Sequence, residues 1–516
     1  MVPVSRPLLR FSRRFLSSSP IPPPRCITSV KANESRYLMP LNAKKTRGVD
    51  VLNDPLWNKG TGFSESERDR LGLKGLLPNV VRSLDEQRAY FMAKLRAIED
   101  PLEKNLSLRA LHDRNETLFH RVLVDHVEEV APIVYTPTVG LVCQKYSANF
   151  ARPRGLLFTP QDKGSMGINM ENWPHSSCQV VVVTDGSRIL GLGDLGANGM
   201  GIPVGKLALY CAYGGIAPHR VLPVQLDFGT DNEALLSDPQ YTGVRQPRLK
   251  GDEYFALVDE FVQAVFRRYP KALLQFEDFS SDKASVLLDK YRDRYLCFND
   301  DIQGTGATVL AGVLGALRMT GKSPEALAGL KVAVVGAGSA GIGVAQALQT
   351  AMVEAGAASK EVAAANFMVF DKDGLIGTSR PVGGAITPEV MGFARGDLAD
   401  GMSLDDAVEV EKPELILGLS GRKGTITQQA LQSMAKAHAR PMVFPLSNPT
   451  SSCEITPAEV YAITAGKAIV ATGSPFEPVQ MDGITHSPSQ CNNMVCCAGR
   501  RSSLTRRALA LWLSVC

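Results

Sequence analysis

Short apolar, often β-branched runs recur from about residue 178 onward, and each ends in Asp, Gly or a small polar loop. CQVVVVTDG, VLPVQLDFGT, LLQFEDF and YLCFNDD form a first series. The stretches KLALYCAYGG and EYFALVDEFVQAVFRRY lie between them with helical spacing. A second series starts at VAVVGAGSAG and continues through NFMVFDKDG, ELILGLSG, PMVFPLSNPT and KAIVATGSPF. Strands alternating with helices predict parallel sheets of the α/β class. Before residue 150 the pattern is helical instead. Ser64 is placed to cap SESERDRLGLKGLL, and SLRALHDRNETLFHRVLVDHVEEV reads as one amphipathic stretch. It ends at APIVYTPTVG, where Pro132 and Pro137 are expected to impose a turn.

These textures predict five regions: an N-terminal leader over 1–44, a helical domain over 45–153 and an α/β domain over 154–299. A Rossmann-type dinucleotide-binding domain over 300–492 and a tail over 493–516 complete the chain. The leader changes the picture of location. Its first 33 residues hold five arginines and several serines, with no acid before Glu34. That is the composition of an organellar transit peptide, favouring the mitochondrial matrix, with a plastid as the alternative. The net charge of +4 over 516 residues gives no bias toward nucleic acid. No apolar run is long enough to span a membrane. The ten cysteines form no CxxC and the seven histidines no paired spacing, which argues against zinc and against a disulfide framework.

The candidate chemistry lies at the ends of the strands. Gly336, Gly338 and Gly341 form GxGxxG between a strand and a helix, with Ala337 and Ser339 completing the loop. This pattern binds a dinucleotide pyrophosphate at a helix N-terminus. Asp371 ends the next strand and could accept from a ribose hydroxyl, which favours NAD; Lys372 beside it keeps NADP open. Two acidic pairs, Glu277–Asp278 and Asp300–Asp301, end consecutive strands. Four carboxylates in one crevice need a cation or protons, and all-oxygen ligation selects Mg²⁺ or Mn²⁺. The glycine-rich stretch 184–210 carries an arginine and a lysine able to bind carboxylates. Lys206 is expected to begin a helix there, and partial burial near a metal is expected to lower its pKa toward that of a general base. A P-loop fails at this stretch because Leu207 stands where Ser or Thr is required. The phenol of Tyr135 could donate a proton.

YTPTVG, TDGSRILGLGDLG, GMGIPVGKL, QFEDF, FNDDIQGT, GAGSAG and LSNPT stand in the order seen in malic enzymes. Over residues 50–493 the chain resembles that family, and HDRNETL, GVRQPRL and DKDGL look most like its plant-type mitochondrial NAD-dependent members. The resemblance implies oxidative decarboxylation of L-malate to pyruvate and CO₂ with NAD(P)⁺ and Mn²⁺ or Mg²⁺. It implies Tyr135 as general acid, Lys206 as general base and Arg188 as a malate-carboxylate ligand. Glu277, Asp278 and Asp301 match the metal ligands, and Asp300 matches their neighbour beside the lysine. Asn448, Asn492 and Asn493 match substrate-contacting asparagines. Assembly with like subunits, as a homo- or hetero-oligomer, is also expected. Past Asn493 the resemblance stops: Cys491 replaces the family's glycine, and the following residues carry no acid. A shifted reading frame or alternative terminal exon would explain this. The alternative function is therefore an inactive subunit that acts only in assembly with full-length partners.

Overall fold

The computed structural model describes residues 47–383 and 386–493. The leader, and all of the tail beyond Asn493, lie outside the described residues. Helix α1 (Glu65–Leu71) is capped by Ser64 in a reciprocal capping box with Glu67. It stops at Gly72, whose left-handed conformation (φ 69°) turns the chain out of the helix. The remaining GLKGLL is therefore not helical, contrary to the periodicity. Helices α2 (Leu84–Arg96), α3 (Pro101–Arg114), α4 (Glu116–Asp125) and α5 (Val127–Val134) then pack around one apolar cluster.

The stretch 107–130 is thus not one helix. Asn115 is extended (φ −149°, ψ 90°), and its side chain accepts from Leu118 N at 2.9 Å, starting a new helix. Pro132 does not make a turn either; it sits inside α5. It removes one backbone bond from a short helix whose flanking Val130, Ala131, Ile133 and Val134 are buried, and that burial holds the helix. The turn comes at Tyr135–Pro137, before α6 (Thr138–Gln144).

A five-stranded sheet follows. It contains β1 (Leu156–Phe158), β2 (Val180–Thr184), β3 (Val221–Leu226), β4 (Leu273–Phe276) and β5 (Cys297–Asn299) in the order β1-β3-β2-β4-β5, all parallel. Helices α7 (Gly201–Gly214), α8 (Gly251–Arg268) and α9 (Ser281–Tyr291) connect its strands. The four expected strands are present; β1 was not read because its three residues show no alternation. Helix α10 (Thr305–Met319) leads to a second sheet. Its core is β6 (Val332–Val335), β7 (Phe367–Asp371), β9 (Leu415–Gly418), β10 (Met442–Pro445) and β11 (Ile469–Thr472), extended by short strands β8 (Gly374–Leu375) and β12 (Ser489–Gln490). The strand order is β12-β11-β10-β9-β6-β7-β8, parallel except at β7–β8. Helix α11 (Ser339–Glu354) follows the glycine loop. Among the described residues no helix is long and apolar enough to cross a membrane.

Candidate active site

Strands β4 and β5 are hydrogen-bonded neighbours, with Phe276 opposite Asn299 in the register. Their next residues therefore emerge side by side at the carboxyl edge of the sheet, where ligands bind in open α/β folds. The ligand oxygens of Glu277, Asp278 and Asp301 lie within 4.8 Å of one another. Asp278 takes a left-handed conformation (φ 54°), held by Asp278 N donating to Asp301 Oδ2 at 2.8 Å and Arg188 N donating to Asp278 O at 3.2 Å. Asp278 Oδ2 is buried without a hydrogen-bond partner among the described residues. An all-carboxylate donor set with an orphaned buried oxygen fits a hard divalent ion, Mg²⁺ or Mn²⁺.

Lys206 lies in the second turn of α7 rather than at its start, because the helix already begins at Gly201. The glycines let it pack closely: a Cβ on Gly205 would lie 2.8 Å from Val134 O and 3.2 Å from the Tyr135 ring. Lys206 is fully buried, and its ammonium contacts both Glu277 Oε1 and Asp300 Oδ2. Tyr135 Oη donates to the same Glu277 oxygen at 3.4 Å, and Lys206 Nζ stands 5.7 Å from the tyrosine ring centre. Tyr210 donates to Gln275 (2.7 Å) and Gln275 to the other Glu277 oxygen (2.6 Å), so the carboxylate is held from behind.

Burial alone would lower the Lys206 pKa, as the sequence led us to expect. Contact with Asp300 and Glu277 outweighs burial and raises it well above the ordinary value. The carboxyls move the other way. Burial first, then the Asp301 and Glu277 charges, raise Asp278 well above its usual range. Asp300 is pushed up to about 7 by burial and by Glu277 against the opposing pull of Lys206. Asp301 also rises to about 7, through burial and Glu277.

The same cleft is lined by Arg188, Asn448, Asn492, Asn493, Gly338 and Ser339. Asn492 donates to Gly473 O (2.9 Å) and to Thr136 Oγ1 (3.2 Å), and Asn493 donates to Thr305 Oγ1 (3.3 Å). Asn448 Oδ1 accepts from Ser474 at 2.5 Å, and its carbonyl accepts from Gly191 N at 2.8 Å. The chain thus brings all three asparagines to the acidic edge. Gly336 has φ 123°, and a Cβ there would lie 2.4 Å from Leu419 O; one on Gly341 would lie 1.9 Å from Gly336 O. Gly338 caps α11, and the nearest atom to a Cβ there is Ser281 Oγ at 3.8 Å. Ala337 and Ser339 complete this loop, which leaves a helix N-terminus facing the cleft, a fit for a dinucleotide pyrophosphate.

Asp371 stands apart from the cleft at the end of β7. Its Oδ2 accepts from Arg380 at 2.9 Å, and Arg380 also donates to both oxygens of Asp400 at 2.8 and 2.9 Å. Arg380 was missed by the sequence reading, as were Gln275 and Thr136. GTSR gives no pattern that points back nine residues to Asp371, whereas TPTVG beside Tyr135 did flag the neighbourhood of Thr136.

Two family models match the chain: the malic enzyme N-terminal domain over residues 112–292 and the malic enzyme NAD binding domain over 302–499. The Arabidopsis thaliana protein named NAD-dependent malic enzyme 2, mitochondrial, is 45% identical over 462 residues, covering 87% of this chain and 76% of that one. The Solanum tuberosum 59 kDa mitochondrial isoform of NAD-dependent malic enzyme is 47% identical over 467 residues, covering 87% and 77%. A Dictyostelium discoideum protein named NADP-dependent malic enzyme is 48% identical over 445 residues, covering 86% and 81%. With both domains matched in order around this acidic cleft, the chain belongs to the malic enzyme family.

Proposed function

We propose that the chain converts L-malate and NAD⁺ to pyruvate, CO₂ and NADH in the mitochondrial matrix, dependent on Mg²⁺ or Mn²⁺. One observation carries this reading: a fully buried lysine lies between two carboxylates, beside a tyrosine and a three-carboxylate cluster, at the cleft the glycine loop faces. Glu277, Asp278 and Asp301 would hold the metal. When bound, the ion polarises the oxygen on C2 and the nicotinamide supplies the hydride acceptor.

The protein's own groups do the rest. Arg188 holds a malate carboxylate. Lys206 removes the C2 hydroxyl proton, with Asp300 holding the resulting ammonium. Commitment of the neighbouring carboxylates to a cation reduces the negative charge facing Lys206 and makes its ammonium easier to deprotonate. After CO₂ leaves, Tyr135 protonates C3 of the enolate. Asn448, Asn492 and Asn493 orient the substrate. Gly336, Ala337, Gly338, Ser339 and Gly341 cradle the pyrophosphate, and Asp371 meets the adenosine ribose. Residues 45–153 supply Tyr135, 154–299 the base and two metal ligands, and 300–492 the coenzyme site. The assembly is one of like subunits.

Purified protein given malate, Mn²⁺ and NAD⁺ should form NADH and pyruvate in equal amounts. Turnover only after addition of a full-length relative would instead favour the assembly-only subunit, a reading the two-domain family match does not favour.

A further inference from the structure

Glu454 is a fully buried carboxylate outside the acidic edge, and no step above uses it. It stands just before the helix Pro457–Ile463, which Thr456 caps, and its side chain turns back onto the dinucleotide sheet. A Cβ on Gly418, the last residue of β9, would lie 2.7 Å from the Glu454 carboxyl carbon, so the strand ends in glycine to admit it. All of its hydrogen-bond partners among the described residues are neutral. Glu454 Oε1 accepts from Ser420 N (2.8 Å), Ser420 Oγ (3.0 Å) and Ser447 Oγ (2.5 Å), and Oε2 accepts from Ser447 N (3.4 Å). A carboxylate buried without a cation is costly to a fold, and neutral donors offset only part of that cost.

The contacts join two loops. Ser420 follows β9 and Ser447 follows β10, and Ser447 Oγ also accepts from Gly421 N at 2.9 Å. Both loops wall the acidic cleft, the first with Leu419 and Gly421, the second with Leu446, Ser447 and Asn448. Behind the first loop stands the glycine turn, since a Cβ on Gly336 would lie 2.4 Å from Leu419 O. A dinucleotide reaching from that turn toward Lys206 therefore has both loops in its wall. An apolar side chain at position 454 would fill the same space and leave the loops unjoined.

We propose that Glu454 is a positioning residue for the nicotinamide half of the coenzyme. It touches no ligand itself; it fixes the spacing of the loops after β9 and β10, and with them Gly421 and Asn448. The proposal rests on the reading that the glycine loop takes the dinucleotide pyrophosphate.

The test is calorimetric titration of the full chain with NAD⁺ and with ADP-ribose, which keeps the adenosine and pyrophosphate and lacks the nicotinamide. Glu454→Gln should weaken NAD⁺ binding by about tenfold, as loss of hydrogen bonds to a charged group does, and leave ADP-ribose within twofold of wild type. Ser420→Ala, at a residue that does not line the cleft, should weaken NAD⁺ several-fold with the same sparing of ADP-ribose. It decides the matter if Glu454→Gln fails to fold. Equal losses for the two ligands would make Glu454 a prop of the fold alone and overturn the proposal, as would wild-type NAD⁺ affinity in the folded variants. Wild-type protein that binds neither ligand would remove the pyrophosphate reading, and the proposal with it.

Discussion

Two buried clusters of charge sit at the ends of neighbouring strands, and they are built oppositely. After β2, Asp185 is fully buried and accepts from Lys283 (2.9 Å), Tyr254 (2.8 Å) and Ser187 (2.5 Å). Arg248 joins it to Asp194, so two carboxylates face two cations. Burial would raise the Asp185 pKa, but Arg248 and Lys283 hold it below the usual range. After β4 and β5, four carboxylates face Lys206, and Asp278 Oδ2 and Asp300 Oδ1 have no hydrogen-bond partner among the described residues. Burial is common to both clusters; the balance of charge is not. The first is complete in itself and holds the loop that carries Arg188, since Ser187 also accepts from Ser280 N at 2.9 Å. The second lacks that balance and needs a cation or protons to offset it, which marks a candidate site.

The largest effect should come from breaking the balanced cluster. Asp185→Asn leaves two buried cations underpaired, so unfolding free energy measured in denaturant should fall by about 3–5 kcal/mol. A loss below about 1 kcal/mol would remove the contrast. Lys206→Ala should leave the protein folded with Mn²⁺ but slow malate oxidation by about 10²-fold or more, read as kcat for NADH formation. Near-normal turnover would show that another group takes the proton. Asp278→Asn tests the unbalanced cluster directly. It removes one of several repelling charges, so the metal-free protein should lose no stability. The Mn²⁺ concentration for half-maximal activity should rise about tenfold or more. An unchanged metal requirement would take Asp278 out of the ligand set.

The coenzyme end offers a smaller effect. NAD should be preferred over NADP, as follows from the proposed place of Asp371 at the ribose edge. Asp371→Ser should narrow the ratio of kcat/KM values several-fold, the more so because it releases Arg380 toward a 2′-phosphate. A wild-type preference for NADP would transfer the decision to Arg380 or Lys372. The smallest effect concerns acid. Burial, then Arg154, holds His112 well below its ordinary value, so it is neutral when folded and protonates near pH 6.5 when unfolded. Its contribution is present above that pH and lost as pH falls toward its folded pKa. Asp300 and Asp301, raised to about 7, act with the opposite sign in metal-free protein: their contribution is lost as pH rises through that value. Comparing His112→Gln with wild type at each pH cancels them. The variant should show a flatter loss of stability between about pH 6.5 and 5, by about 1 kcal/mol. Parallel curves would mean His112 titrates normally.

The unbalanced cluster was legible in the sequence and the balanced one was not. Glu277–Asp278 and Asp300–Asp301 are adjacent in the chain and end visible strand patterns, so local signals suffice. The partners of Asp185 lie at Arg248, Tyr254 and Lys283, and nothing local relates them. The glycine loop was legible for the same reason as the acid pairs, since its turn, phosphate approach and helix start occupy six residues. Asn115 was a missed signal: an asparagine followed by glutamate is a helix start, but the apolar spacing continues across it and hides the break. The lowered pKa expected for Lys206 failed because burial was weighed without Asp300, which only the folded edge brings into contact.

Asn492 donates to Thr136 across 356 residues of chain. A contact of such span adds little to stability, yet it orders events in time. Loop-closure entropy disfavours it until the intervening strands have formed. The helical segment bearing Tyr135 and the first sheet can form early, while the cleft is closed last. A folding chain would therefore hold its acidic edge before it could turn over malate.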